Sequence, residues 1–157
     1  MTETGQDQSR APEKISEGVG VLVVDDEEQN AQILRRTIRK IFKGRIGIID
    51  VAHSGRDALR LIEDNLGKYG IIFTDGNMPN GNGLELAREV KKRELGIDMV
   101  LISGGVGEYD LSSPQDVQEI CSRYGISEVM QKPFAPSEIK RAIGDMLKKE
   151  LRNWQCL

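Results

Sequence analysis

Five short apolar runs that alternate with five stretches of helical periodicity constrain the fold of this chain more than any other feature. The runs are VGVLVVDD, beginning near Val19, then RIGIIDVA, GIIFTD, IDMVLIS and the shorter ISEVMQKP. Continuous apolar runs of this length are typical of strands buried on both faces, as in a parallel sheet. Because right-handed crossovers lay each helix back on the sheet, the alternation predicts an α/β fold with helices on both faces.

Cap residues support the predicted helices. Three helical stretches have a polar cap residue followed three positions later by an acidic residue, which is the spacing of a capping box. The pairs are Ser54 with Asp57, Asn82 with Glu85, and Ser113 with Asp116, and Pro114 takes the first helical position after Ser113. In the second helix the predicted apolar stripe consists of Ala58, Leu59, Ile62 and Leu66.

Polar residues stand at the end of four of the predicted strands. The first strand ends at Asp25 and Asp26, the third at Asp75, the fourth at Ser103 and the fifth at Lys132. Ligands of open parallel sheets bind beyond the carboxyl ends of the strands, at a topological switch point. The sequence therefore predicts that three carboxylates, a hydroxyl and an ammonium converge at one edge of the sheet.

This set of side chains points to phosphoryl chemistry with a metal ion. Three neighbouring carboxylates repel one another, and a hard divalent cation such as Mg²⁺ relieves that repulsion. One carboxylate can then attack phosphorus and form an aspartyl phosphate. The metal, Lys132 and the Ser103 hydroxyl can stabilise the phosphoryl oxygens.

Four motifs, in this order and each at the end of an apolar strand, resemble a response-regulator receiver domain of two-component signalling. They are VLVVDDEEQN, IIFTDGNMPNGNGLEL, VLISGG and VMQKPF. The resemblance implies a flavodoxin-like receiver fold, with five strands in the order 2-1-3-4-5, over residues 19–151. Residues 1–18, by their polar composition, are predicted to be a disordered tail, and residues 152–157 a C-terminal tail.

The resemblance also implies a role for each site residue. Asp75 would be the phosphoacceptor, and Asp25, Asp26, Asp75 and the backbone carbonyl of Asn77 would bind Mg²⁺ directly or through water. Ser103 would be the switch hydroxyl. Lys132 would pair with the phosphoryl oxygens, and the bond from Lys132 to Pro133 would be cis.

The function implied is that of a signalling phosphoacceptor, whose only reactions are its own phosphorylation from a donor and its own dephosphorylation. The expected donor is a sensor histidine kinase or a histidine phosphotransfer protein. No output domain is expected after the last helix. A downstream protein would therefore read the signal by contact with the last two helices and the last strand, or the phosphoryl group would be relayed onward.

Several positions depart from the family pattern. Gly76 follows Asp75 and predicts a more flexible loop, and Gly104 follows the switch hydroxyl. Val129 stands where the family has a Tyr or Phe whose rotation reports phosphorylation, and a valine has no ring to rotate. The loop at 104–113 is longer than the family leads one to expect. Its Tyr109 either substitutes for the missing ring or is a surface aromatic.

Composition excludes several other classes of function. A net charge of −3 argues against a general nucleic-acid binder. Cys121 and Cys156 form neither a disulfide framework nor, with the single His53, a zinc site; free thiols suit a reducing cytoplasm. His53 is predicted to be a surface loop residue rather than a phosphoryl carrier, because nothing in the sequence gives it an activating partner. No stretch is long and apolar enough for membrane insertion.

Alternative interpretations remain. Asp25 and Asp26 could cap the first helix, and Ser103 could be a plain strand-end hydroxyl. A phosphatase of the haloacid-dehalogenase type is disfavoured, because it needs a second Asp two residues after the nucleophile and this chain has Asn77 there. A degenerate receiver that acts as a constitutive protein-binding module is the main rival, and Val129 keeps it open.

Overall fold

The computed structural model describes residues 18–79 and 82–155, with side chains up to Lys148. Strands and helices alternate as predicted. They are β1 (Val19–Val24), α1 (Glu28–Ile41), β2 (Ile46–Ala52), α2 (Gly55–Asp64), β3 (Tyr69–Asp75), α3 (Gly83–Lys92), β4 (Asp98–Ser103), α4 (Pro114–Tyr124), β5 (Glu128–Gln131) and α5 (Pro136–Gln155). All strand pairs are parallel, and the sheet order is β2-β1-β3-β4-β5. The predicted fold is confirmed.

The sheet separates two hydrophobic cores, because successive side chains of a strand point to opposite faces. Leu22 of β1 and Ile72 of β3 belong to the first core, which α2, α3 and α4 cover. Val23 of β1 and Phe73 of β3 belong to the second, which α1 and α5 cover. Strands that bury both faces read as unbroken apolar runs, which explains the sequence pattern.

The predicted caps form, with one difference in detail. The side chains of Ser54, Asn82 and Ser113 each accept a hydrogen bond from the backbone N–H three residues later. In the described contacts, none of the acidic partners closes its box by accepting from the backbone N–H of the cap residue. The Asp116 carboxylate instead accepts from the backbone N–H of Asp110 at 2.7 Å and so holds the preceding loop.

The predicted stripe of α2 is wrong at one position. Ala58 and Ile62 are buried, but α2 ends at Asp64, and Leu66 lies beyond the helix with 70% of its surface exposed. Gly67 follows in the left-handed region, with φ of 84°, so the chain has already turned towards β3 at this point.

Some predictions concern the ends of the chain. The predicted tail at 1–18 falls, apart from Gly18, outside the described residues, as does Cys156. Helix α5 continues to Gln155, past the predicted domain end at 151. Among residues 18–79 and 82–155, no helix combines the length and the apolar character that a membrane crossing requires.

Candidate functional site

The predicted acidic residues meet at the carboxyl edge of the sheet. Asp25 directly follows β1, Asp26 lies in the next turn, and Asp75 is the last residue of β3. One carboxylate oxygen from each lies within 4.8 Å of the other two. Asp25 and Asp75 are each 8% exposed, whereas Asp26 is open to solvent. The pairing of β1 with β3 brings these residues, some 50 positions apart in the chain, to one point.

The electrostatics of this cluster favour a cation. Burial raises the pKa of Asp25, and the negative charge of Asp75 raises it further, while a hydrogen bond from the backbone N–H of Glu27 opposes both effects. That hydrogen bond reaches Asp25 Oδ1 at 2.9 Å. The N-cap position of α1 is Glu27, and in the described contacts no side chain makes a cap hydrogen bond to this helix. The contact of Asp25 is therefore a turn before the helix, and it compensates the carboxylate charge only in part.

Lys132 supplies positive charge at the same edge. Its Nζ lies 3.4 Å from Asp75 Oδ1, and its backbone N–H donates to the carbonyl of Ser103 at 2.9 Å. The peptide bond between Lys132 and Pro133 is cis, as the resemblance implied. The ends of β3, β4 and β5 therefore carry the Asp75 carboxylate, the Ser103 hydroxyl and the Lys132 ammonium side by side.

Ser103 is buried at the end of β4, but its hydroxyl is bonded to the loop that follows. It donates to the carbonyl oxygen of Gly105 at 2.6 Å. It also accepts from the backbone N–H of Gly105 at 3.1 Å and from the side-chain amide of Asn77 at 3.4 Å. A hydroxyl has one hydrogen to donate and two lone pairs, so these three contacts use its full capacity.

The side chain of Asn77 has contacts that the sequence did not predict. Its amide donates to the Gly105 carbonyl as well as to Ser103, and its backbone N–H lies 3.4 Å from Asp75 Oδ1. The expectation for Asn77 concerned its backbone carbonyl alone. A polar residue two positions after Asp75 was the available signal, but its partner lies 28 residues away in the chain.

Gly76 was expected to make the loop after Asp75 more flexible, but in the structure it is closely packed and hydrogen-bonded. A Cβ at this position would lie only 2.8 Å from both Cβ and Oγ of Ser103. The Gly76 N–H donates to the carbonyl of Ile102 at 3.0 Å, and its own carbonyl accepts from Gly83 at 3.0 Å. Gly76 therefore allows the two strand ends to approach closely and is held on both sides.

His53 has partners that the sequence did not reveal. Its Nδ1 lies 3.1 Å from the backbone carbonyl oxygen of Asp25, and its Nε2 lies 2.8 Å from a carboxylate oxygen of Glu28. The ring is about half exposed. The expectation that it is a surface residue is therefore right, and its two partners are contacts that the sequence could not show.

Val129, at the position of the missing ring, is partly buried and packs against the first core.

The predicted site residues thus lie together at one edge of the sheet. They are Asp25, Asp26, Asp75, Asn77, Ser103 and Lys132. Three neighbouring carboxylates provide oxygen donors of the kind that a hard divalent ion prefers. One of these carboxylates also contacts an ammonium, which suits a nucleophile that must take up a charged group.

Comparisons with known proteins agree with this geometry. A family model described as the response regulator receiver domain matches residues 21–144. A chemotaxis protein CheY homolog of Campylobacter jejuni is 30% identical over 131 residues, which cover 81% of this chain and 91% of that protein. CheY1 of Helicobacter pylori is 29% identical over 129 residues, which cover 78% of this chain and 92% of that protein.

Solved structures show the same architecture. The receiver domain of Francisella response regulator 1452 is 26% identical with a TM-score of 0.69, over 85% of this chain and 99% of that one. The fold is also shared with a CheX–CheY complex with BeF₃ and Mg²⁺ from Borrelia burgdorferi. That match has a TM-score of 0.69 at 19% identity, over 82% of this chain and 89% of the other.

Proposed function

The chain belongs to the response regulator receiver domain family, and from that premise we propose that it takes a phosphoryl group from a phosphohistidine donor onto Asp75, with Mg²⁺ in the acidic pocket. Receiver domains of this family act as signalling phosphoacceptors. The observation that carries the assignment is the placement of Asp75, which lies both in the carboxylate cluster and 3.4 Å from the Lys132 ammonium.

Asp75 is the best nucleophile of the three carboxylates. It ends the central strand β3, so it lies between the other acidic residues on one side and Lys132 and Ser103 on the other. Asp25 is tied to Glu27 by a backbone hydrogen bond, and Asp26 is turned to solvent. An acceptor flanked by positive charge can receive an anionic group with less repulsion.

In the transfer step, an Asp75 carboxylate oxygen forms a bond to phosphorus while the phosphorus–nitrogen bond of the donor breaks. The electron pair of that bond stays on the donor imidazole, and Asp75 becomes an acyl phosphate. Hydrolysis removes the phosphoryl group: a water oxygen attacks phosphorus and the bond to Asp75 breaks. The Asp75 carboxylate is regenerated, and inorganic phosphate is released. Loss of the phosphoryl group lets the resting population recover.

The residues present fit a Mg²⁺ ion. Asp25, Asp26, Asp75 and the backbone carbonyl of Asn77 would hold it, which agrees with the oxygen-donor set and the raised pKa of Asp25. When bound, the ion would neutralise negative charge on the carboxylates and on the incoming phosphoryl oxygens. Lys132 would pair with a phosphoryl oxygen after leaving its contact with Asp75. The Ser103 hydroxyl would donate to another.

A groove of about 530 Å³ beside the pocket supports the proposal that a donor protein binds there. It lies between α1 and the segment after β5, with Leu34, Phe134 and Ile139 among its apolar lining and with Asp75 at one side. Ile33 on its rim is 60% exposed. Phosphotransfer from a protein donor should therefore depend on Ile33, whereas phosphorylation by a small donor should not.

A downstream protein would bind the face of α4, β5 and α5.

Phosphorylation with acetyl phosphate and Mg²⁺, followed by intact mass, tests the proposal. The wild-type protein should gain one phosphoryl group, and the adduct should disappear with time and with hydroxylamine. Asp75→Asn should gain none. Asp57→Asn, a surface aspartate of α2, is the matched control and should behave as the wild-type protein does.

The other outcomes point to different functions. An adduct that persists in Asp75→Asn would overturn the assignment of the acceptor. Rapid turnover of unrelated phosphoesters would support the phosphatase interpretation. A natively folded protein that forms no adduct would support a degenerate receiver that binds its partners constitutively.

A further inference from the structure

The loop between β4 and α4, residues 104–113, joins the proposed phosphorylation site to a helix on the surface. It begins directly after Ser103 and ends at the cap of α4. In this chain Val129 takes the position of the family's reporting ring, so the structure needs another route from Ser103 to the surface. The contacts of the loop at each end provide one.

The first contact point of the loop is Gly105. Its carbonyl oxygen accepts from the Ser103 hydroxyl at 2.6 Å and from the side-chain amide of Asn77. Because the Ser103 hydroxyl has a single hydrogen, it cannot donate to a phosphoryl oxygen and to Gly105 at the same time. Engagement of Ser103 by a phosphoryl group therefore removes one of the three hydrogen bonds that Gly105 makes with Ser103 and Asn77.

The middle of the loop is packed and hydrogen-bonded. Val106 and Leu111 are 1% and 6% exposed and belong to the first core. Val106 and Tyr109 form an isolated antiparallel bridge, with the Tyr109 N–H donating to the Val106 carbonyl at 3.0 Å. Asp110 is held by Asp116 of α4. A loop with these internal contacts transmits a displacement rather than absorbing it.

The far contact point of the loop is the ring of Tyr109. Its hydroxyl donates to Glu119 of α4 at 3.0 Å, and its ring meets that of Tyr124 edge to face with centroids 6.4 Å apart. Tyr124 is buried and in turn contacts the guanidinium of Arg88 at 5.1 Å from its ring centroid. Tyr109 is partly buried, so a small shift of the loop changes what α4 presents to a partner.

We propose that Tyr109, in the 104–113 loop, is the reporting ring of this receiver, in the place of the aromatic that position 129 lacks. The inference rests on the proposed phosphorylation of Asp75. When the Ser103 hydroxyl donates to the phosphoryl group, the Gly105 carbonyl loses that hydrogen bond and keeps the one from Asn77. The start of the loop then shifts, the Val106–Tyr109 bridge moves with it, and the contacts of Tyr109 with Glu119 and Tyr124 change. Tyr109 is a positioning residue and does not touch the reacting atoms.

Fluorine NMR of protein labelled with 3-fluorotyrosine tests this inference, because the chain has three tyrosines: Tyr69, Tyr109 and Tyr124. Tyrosine-to-phenylalanine variants assign the resonances. Mg²⁺ and beryllium fluoride, a mimic of the phosphoryl group, are then added to saturation. The Tyr109 and Tyr124 resonances should shift, whereas that of Tyr69, which is hydrogen-bonded to Asp50 away from the pocket, should stay.

Two serine variants separate the loop contact from general effects. Ser103→Ala lacks the hydrogen that the switch needs, so its Tyr109 resonance should no longer respond to beryllium fluoride. Ser112→Ala alters a hydroxyl of the same loop that bonds only to Asp110 in the described contacts, and it should keep the full response. Both substitutions remove a single oxygen, and circular dichroism confirms that each variant is folded.

The same spectrum tests the switch inference and the proposed phosphorylation separately, because bound beryllium fluoride has its own fluorine resonance. If the adduct forms while Tyr109 stays in place, the switch inference is overturned and the proposed phosphorylation stands. If neither beryllium fluoride nor acetyl phosphate modifies the protein, the proposed function falls and the switch falls with it. A Tyr109 shift that persists in Ser103→Ala would also overturn the proposed route.

Discussion

Asp25 meets opposing demands at the scale of a single residue. Its carboxylate must be charged to bind a cation, yet burial and the nearby Asp75 raise its pKa and so disfavour that charge. Between its usual pKa of about 4 and the raised value, the folded protein binds more protons than the unfolded chain does. The free energy of unfolding of the metal-free protein therefore decreases as pH rises through this window, and the cost of the charge persists at neutral pH.

Asp25→Asn should consequently raise the metal-free stability at pH 7 and abolish the stabilisation that Mg²⁺ gives. Urea unfolding with and without Mg²⁺ measures both effects. For the wild-type protein, the Mg²⁺ effect should fade as pH drops through the raised pKa, since a protonated carboxyl is a poor metal ligand. Asp26→Asn is the control: this residue is exposed and contributes least to the raised pKa of Asp25, so its loss should weaken the Mg²⁺ effect with a smaller gain in metal-free stability.

Lys132 contributes to reaction rate more than to folding. The ammonium is about one third exposed, and ion pairs of this kind contribute only about 0–1 kcal/mol to stability. Loss of a group that stabilises developing negative charge commonly slows a reaction by about 10²- to 10³-fold. Lys132→Met should therefore fold normally but phosphorylate from acetyl phosphate more slowly by roughly that factor.

A second lysine provides the comparison for that rate measurement. Lys68 forms an ion pair with Asp50 at 3.1 Å, is exposed to a similar degree, and lies before β3 rather than after β5. Lys68→Met should leave the rate unchanged. Equal slowing in both variants would mean that the ammonium of Lys132 has no special part in the transfer.

At the scale of elements, the approach of β3 to β4 depends on Gly76. Gly76→Ala would place a methyl group 2.8 Å from Ser103, and overpacking of this kind costs about 1–3 kcal/mol. Chemical denaturation should show a loss of that size. Gly104→Ala is the matched control, because a Cβ there meets nothing within 4 Å and should be neutral or slightly stabilising. Equal effects of both substitutions would contradict the steric argument.

The elements also show what the sequence could predict. The apolar runs predicted five strands because each strand is buried on both faces, and the residues that close the strands predicted the carboxylate cluster. Local signals could not predict contacts between distant segments, such as Asn77 with Gly105 or His53 with Glu28. Gly76 was misjudged because its role depends on Ser103, 27 positions along the chain, and Leu66 because the chain turns one residue later.

At the scale of the whole molecule, one sheet supports both cores. Adjacent residues of β1 and β3 pack into opposite cores, so the strands cannot lose one face without exposing the other. Domains built in this way usually unfold as one cooperative unit. A ligand at the sheet edge should then stabilise helices on both faces equally, although α2 and α5 lie on opposite sides of the sheet.

Amide hydrogen exchange in the presence and absence of Mg²⁺ tests this coupling. At a Mg²⁺ concentration of 100 times Kd, the slowest amides of α2 and α5 should both gain about 2.7 kcal/mol of protection, because their exchange requires global unfolding. Asp25→Asn should remove the gain in both helices together. Protection confined to the turn after β1 would mean that the metal orders only its own ligands and that the two faces unfold separately.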